Sequence, residues 1–304
     1  MLGAAMPELP DITIYVESLE HRVLGARLER IRIASPFVLR SVDPAVADVE
    51  GRSVTAVRRV GKRILLALDG ERFVVIHLMI SGRLRWRAAG AAVPRGRGLA
   101  AFDFSTGTLL FTEEGKQHRA GLWLVRGPAA LAAHDRGGVE PLDASPDAFR
   151  AALTRERHTL KRALTDPTIF SGIGNAYSDE ILHAARLSPL QLSTNLDAEE
   201  IARLYGATRL TLIAWTERLR AEAGDTFPEK VTAFRDGMAV HGRFREPCPV
   251  CGAPVQRIRY AENEVNYCAT CQTGGRLLAD RAMSRLLKED WPRSLDEWEA
   301  RLQR

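Results

Sequence analysis

A chain of 304 residues, 45% of them hydrophobic, is long enough for about two domains with sizeable cores. Its 43 Lys and Arg outweigh 38 Asp and Glu to give a formal charge of +5, which favours an anionic partner, most simply a phosphate backbone. The longest apolar run, residues 73–80, is interrupted by His77 and falls far short of the roughly 18 residues a membrane helix needs, and the first residues lack the basic start and apolar core of a secretion signal.

In chain order, residues 11–24 put Ile12, Tyr15, Val16, Leu19 and Val23 at helical spacing, with Gly25 as the stop. Shorter runs at 28–33, 53–58, 64–68, 73–79, 99–104, 108–112 and 122–125 predict the strands of a mostly antiparallel β domain, a sandwich or barrel, over residues 7–135. A basic, Gly-rich loop spans 88–98, and 136–145 reads as an interdomain linker rich in Gly, Pro and Asp. Helical patterns at 146–165, 175–185 and 197–220 predict a helical domain over 146–240. A cysteine-bearing segment, 241–275, and an extension, 276–304, complete the chain. The extension carries an amphipathic pattern at 277–288 and a capping box, Ser294-Leu295-Asp296-Glu297. The expected fold class is therefore α+β and multidomain.

Cys248-Pro-Val-Cys251 and Cys268-Ala-Thr-Cys271 each present two thiolates to one tetrahedral ion, and the intervening segment can form a hairpin. Buried thiols or a redox pair would explain one such motif but not two, so one structural Zn2+ is expected. Close cysteine pairs suit a reducing compartment, hence a cytoplasmic, nucleoid-associated location. The hairpin carries Arg257, Arg259 and Tyr260, which can approach a phosphate or a groove.

Two further signatures stand out. Ser171-Gly-Ile-Gly-Asn175 is a glycine turn opening a helix, whose N-terminal N–H groups and positive dipole end suit a phosphate; Asn175 adds an amide and Lys161 precedes it. Taken alone, such a turn is as readily a tight connection. Near the start, Met6-Pro7-Glu8-Leu9-Pro10-Asp11 sets a potential secondary amine beside a carboxylic acid. Glu8 alone would read as a helix-start charge favoured by the dipole.

With Gly61-Lys62-Arg63 before a strand, Gly172-Ile-Gly-Asn175-Ala-Tyr177 with Glu180, and the four cysteines, these motifs resemble, in order, the formamidopyrimidine-DNA glycosylase/endonuclease VIII family of base-excision repair enzymes. The resemblance runs from Met6 to about Gln272. It implies an N-terminal β-sandwich, a helix–two-turn–helix domain, a zinc-ribbon β-hairpin finger and a DNA cleft. It also implies a bifunctional DNA glycosylase/AP lyase, monomeric, without a redox cofactor, that excises oxidised bases from damaged double-stranded DNA and cleaves the strand by β,δ-elimination. Pro7 would be the nucleophile at C1′, Glu8 the acid/base, and Lys62 a phosphate contact near the lesion; Lys161 and Asn175 would contact phosphates from the helical domain. His77-Leu-Met-Ile-Ser-Gly82 stands where the family has a His-Leu-Gly-Met-Ser-Gly wedge. Glu113–Ala120 replaces an Arg-Arg-Phe loop, and Asn263 stands at the position of a finger arginine, with Arg257 and Arg259 as alternatives. An amide nitrogen is no nucleophile, so Met6 is expected to be the start: removal of Met before Pro7 frees the amine, whereas Leu2 is too bulky to let Met1 be trimmed. The competing expectations are a catalytically silent binder of damaged or abasic DNA with the same fold, and an RNA-binding zinc-ribbon protein, which leaves Pro7-Glu8 unexplained.

Overall fold

The computed structural model describes residues 6–115, 118–229, 235–260 and 263–278; the expected tail helices lie almost entirely outside them. The chain opens with α1 (Leu9–Val23). Pro10 and Asp11 suit its first turn, and Asp11 Oδ2 accepts from the Glu8 N–H at 3.0 Å. Ile12, Tyr15, Leu19 and Val23 are fully buried along one face. Gly25, at φ +75°, takes the left-handed conformation that ends the helix.

Eight strands follow: β1 (Arg27–Ile33), β2 (Arg52–Val60), β3 (Arg63–Leu68), β4 (Arg72–His77), β5 (Gly82–Arg87), β6 (Gly98–Phe104), β7 (Gly107–Glu113) and β8 (Gly121–Arg126). They form one antiparallel sheet in the order β5-β7-β6-β1-β2-β3-β4-β8. β1 and β2 are registered only through Arg27–Ser53 and Leu28–Arg52, so the sheet folds on itself there. Phe102, Phe104, Leu109 and Phe111 from one half share a core with Ile64, Leu66, Val74 and Ile76 from the other, and α1 joins them. This is the expected sandwich.

β5 was not expected from the sequence. Its three arginines mask a period-two pattern in which Leu84 is fully buried and Trp86 packs on the core. β4 ends at His77 rather than Met79, because Met79 adopts φ +52° and the Gly82 N–H closes a turn onto Leu78 O at 2.8 Å. A short α2 (Pro128–Ala132) follows β8.

Contacts divide the chain into two units, Met1–Gly137 with Ile213–Ala233, and Gly138–Leu212 with Phe234–Arg304. In the second unit the helix expected over 146–165 is broken into α3 (Pro146–Thr154) and α4 (Leu160–Thr165). The apolar rhythm continues, but Thr159 caps a new start by accepting from the Arg162 N–H, and Ser193 Oγ takes the His158 N–H between the two helices. Then come α5 (Asn175–Ala184), α6 (Ala198–Ala223), an antiparallel hairpin of β9 (Val255–Tyr260) and β10 (Asn263–Cys268), and α7 (Ala269–Thr273). The last turns of α6 belong with the first unit, where Arg220 grips Glu17 through two bonds of 2.9 and 2.7 Å.

Candidate functional site

In the first unit the candidate residues gather at one end of the sandwich. α1 packs along β2 and β3, and just past its end the Gly25 N–H donates to Val54 O near the start of β2. The start of α1 therefore lies toward the far end of β2, where Gly61-Lys62 forms the turn into β3. Pro7 is buried there, and Glu8 is 2% exposed. Lys62 is half-buried in the turn, and Gly61 supplies the φ of +59° that the reversal requires.

His77 sits opposite Arg63 on β3 and Gly121 on β8. Burial, reinforced by the positive charges of Arg63 and Lys62, pushes its pKa down to about 4. At neutral pH the imidazole is a hydrogen-bonding group and not a cation. The turn after it is held by Arg83, whose guanidinium donates to Ile80 O at 3.1 Å and Gly82 O at 2.7 Å. Burial holds Arg83 below its ordinary pKa, while Tyr15, Glu114 and Asp11 act against that shift. A Cβ on Gly82 would lie 2.3 Å from Leu78 O, so the turn closes only around glycine.

Glu113 ties the same turn to the loop that follows β7. Its buried carboxylate accepts from Ser81 Oγ at 3.2 Å, the Arg119 N–H at 3.0 Å and the Ala120 N–H at 3.3 Å. His118 is 63% exposed with Nδ1 3.8 Å from Glu113 Oε2, and its φ is +46°. The sequence shows Glu113 only as the first residue of an altered loop; its anchoring role depends on packing.

In the second unit, α5 is the hub. Lys161 Nζ, on α4, lies 2.5 Å from Asp179 Oδ1 and 2.6 Å from Asn175 O, and the lysine is 8% exposed. Asp179 Oδ2 also meets His241 Nδ1 at 2.8 Å and accepts from the Asn266 N–H at 3.1 Å. Glu180 accepts from the N–H groups of Ala239, Val240 and His241 at 2.7 to 2.9 Å. Burial nonetheless raises its pKa against the pull of these donors. Asn175, at the helix start, donates its side-chain amide to Glu264 O at 2.9 Å. Of the residues singled out in the sequence, Asn175 is thus joined to the hairpin, Glu180 to residues 239–241 ahead of it, and Lys161 is buried in an ion pair.

The four cysteine sulfurs all lie within 4.8 Å of one another. Four thiolates tetrahedrally placed about 2.3 Å from one ion are separated by comparable distances, so the cluster fits one zinc ion held by Cys248, Cys251, Cys268 and Cys271. Arg257, on β9, stacks its guanidinium 4.1 Å from the Phe244 ring centroid and lies 3.8 Å from Glu264. Arg259 is exposed on the same strand. His183, on α5, is a residue the sequence reading missed: its Nε2 lies 3.3 Å from Cys248 Sγ, and 65 positions of sequence separate the two.

The antiparallel sandwich, the helical unit and the four-thiolate hairpin together make the fold of a DNA glycosylase family. Family models agree segment by segment: the formamidopyrimidine-DNA glycosylase N-terminal domain matches residues 6–119, its H2TH domain 138–218, and the zinc finger found in FPG and IleRS 245–274. A formamidopyrimidine-DNA glycosylase from Symbiobacterium thermophilum is 33% identical over 88% of this chain and 89% of its own length. The crystal structure of the MutM (Fpg) protein from Thermus thermophilus matches with a TM-score of 0.72 and 32% identity, over 88% of this chain and 98% of that one. A complex between the LlFpg protein, a THF-DNA and an inhibitor shares the fold, with a TM-score of 0.78 at 22% identity over 88% of this chain and 100% of that one. The chain belongs to the formamidopyrimidine-DNA glycosylase family. Among the described residues no helix is long and apolar enough to cross a membrane.

Proposed function

We propose that this chain is a bifunctional DNA glycosylase/AP lyase that excises oxidised bases from double-stranded DNA. Pro7, with its nitrogen freed as a secondary amine, attacks C1′ of the flipped nucleotide and the base leaves. The resulting iminium is cationic without an added proton, so it draws electrons from the sugar and drives β- and then δ-elimination at the flanking phosphates. The α-amino pKa near 8 leaves a neutral fraction at pH 7. Glu8 supplies and recovers the proton at the sugar ring oxygen. Lys62 contacts the phosphate beside the lesion, and neutral His77 adds a hydrogen bond.

Asn175 at the start of α5 and Arg257 and Arg259 on the hairpin grip the backbone. Lys161 serves this grip indirectly, by holding the Asn175 carbonyl and Asp179. The observation that carries the reading is the burial of Pro7 and Glu8 at the start of α1, the helix that packs along β2 and β3 toward the Lys62 turn. The family match also begins at residue 6, next to Pro7. The reading puts the enzyme with damaged DNA as a cytoplasmic, nucleoid-associated monomer.

Borohydride trapping tests it, using protein whose mature N-terminus is Pro7 and duplexes bearing an abasic site, oxidised guanine or an oxidised pyrimidine. A covalent adduct is expected, absent from protein that retains residues before Pro7. No adduct from folded, zinc-loaded protein would leave the silent binder as the better account.

A further inference from the structure

We infer that His183 is a positioning residue of the zinc centre, donating its Nε2–H to the Cys248 thiolate and so tying the metal to the helix that carries Asn175. The inference stands on the zinc finger and is independent of the chemistry at Pro7.

Nε2 lies 3.3 Å from Cys248 Sγ, and both residues are buried, at 6% and 2% exposure. A zinc-bound thiolate offers only lone pairs, so a ring nitrogen this close is held by attraction only if it carries the proton. Four thiolates around one divalent ion carry excess negative charge, and N–H donors relieve it where water is excluded. The short α7 that follows the hairpin supplies one such donor, the Cys271 N–H at 3.5 Å from Cys268 Sγ. Cys248 receives its donor from α5.

Placement gives this bond a consequence. α5 meets the hairpin and the segment before it through four residues: Asn175 bonds Glu264 O, Asp179 takes the Asn266 N–H, Glu180 takes the N–H groups of residues 239–241, and His183 reaches the metal ligand. Asn175 and His183 lie about 12 Å apart along the helix axis at 1.5 Å per residue. One rigid element therefore joins the zinc to the helix start, and the His183 bond fixes its lower end. A phenylalanine at 183 would fill the same space without a donor.

The tests use the full zinc-loaded chain. Long-range 15N NMR of the wild-type protein reads the His183 tautomer directly, and a proton on Nε2 is expected; a bare Nε2 overturns the proposal without any mutation. His183→Phe should release zinc to a chromogenic chelator about tenfold faster or more. In the cobalt-substituted protein it should move the sulfur-to-metal charge-transfer band to longer wavelength, because a thiolate without its N–H bond is a stronger electron donor. His183→Gln, which keeps an N–H near the same point, should restore both properties. Wild-type release and an unmoved band in a folded His183→Phe protein would show that the residue only fills space.

Discussion

Replacing Lys161 by Met separates two roles that its family resemblance and its surroundings assign differently. Its ammonium is buried against Asp179 Oδ1 at 2.5 Å and Asn175 O at 2.6 Å, and Asp179 is 1% exposed. Removing the cation leaves a buried carboxylate facing His241 and the Asn266 N–H alone, a loss on the order of 3–5 kcal/mol. Removing both charges, as Lys161→Met with Asp179→Leu, should cost less than the two single changes added together, because no unpaired charge remains. Urea unfolding measures these differences. The companion assay is the salt dependence of binding to a duplex with an abasic-site analogue. A lysine that neutralises a phosphate contributes about 0.9 to the slope of log K against log salt. Lys161 is already neutralised internally, so the Met variant should bind more weakly, through a loosened α5 start, with the slope unchanged. A slope lower by about 0.9 with wild-type stability would refute this reasoning and make Lys161 a direct phosphate ligand.

Other expectations follow from the same geometry. His77 titrates near 4 when folded and near 6.5 when unfolded, so the unfolded chain binds more protons between these values. Stability is then fully present above about pH 6.5 and falls as pH drops toward 4, by roughly 3 kcal/mol in all; His77→Gln should flatten that part of a stability-against-pH curve, and an unchanged curve would remove His77 as its source. Gly82→Ala forces a Cβ to 2.3 Å from Leu78 O, so it should cost about 1–3 kcal/mol and lower lesion cleavage, as unfolding and nicking assays would report. Metal analysis should find one zinc per chain, and chelation should abolish binding to damaged duplex; binding that survives complete zinc loss would mean the hairpin is dispensable for recognition.

Short-range regularities were legible in the sequence. The two Cys-x2-Cys turns state their chemistry through spacing alone, because each turn fixes two sulfurs within reach of one ion. Most strands and the start and stop of α1 were readable for a similar reason, since side-chain period and capping residues act within a few positions. Pro7-Glu8 drew attention as a candidate because its two groups are adjacent in the sequence. Where local signals competed, the reading failed: the arginines of β5 obscured its alternation, and the cap at Thr159 split a continuous apolar rhythm. Only the tertiary structure decided which partner each buried polar group meets. Asp179 with Lys161 and His241, Glu113 with Ser81, and His183 with Cys248 are joined across long stretches of chain. A buried charge or donor must be satisfied by whatever packing brings beside it, and that pairing leaves no periodic trace in the sequence.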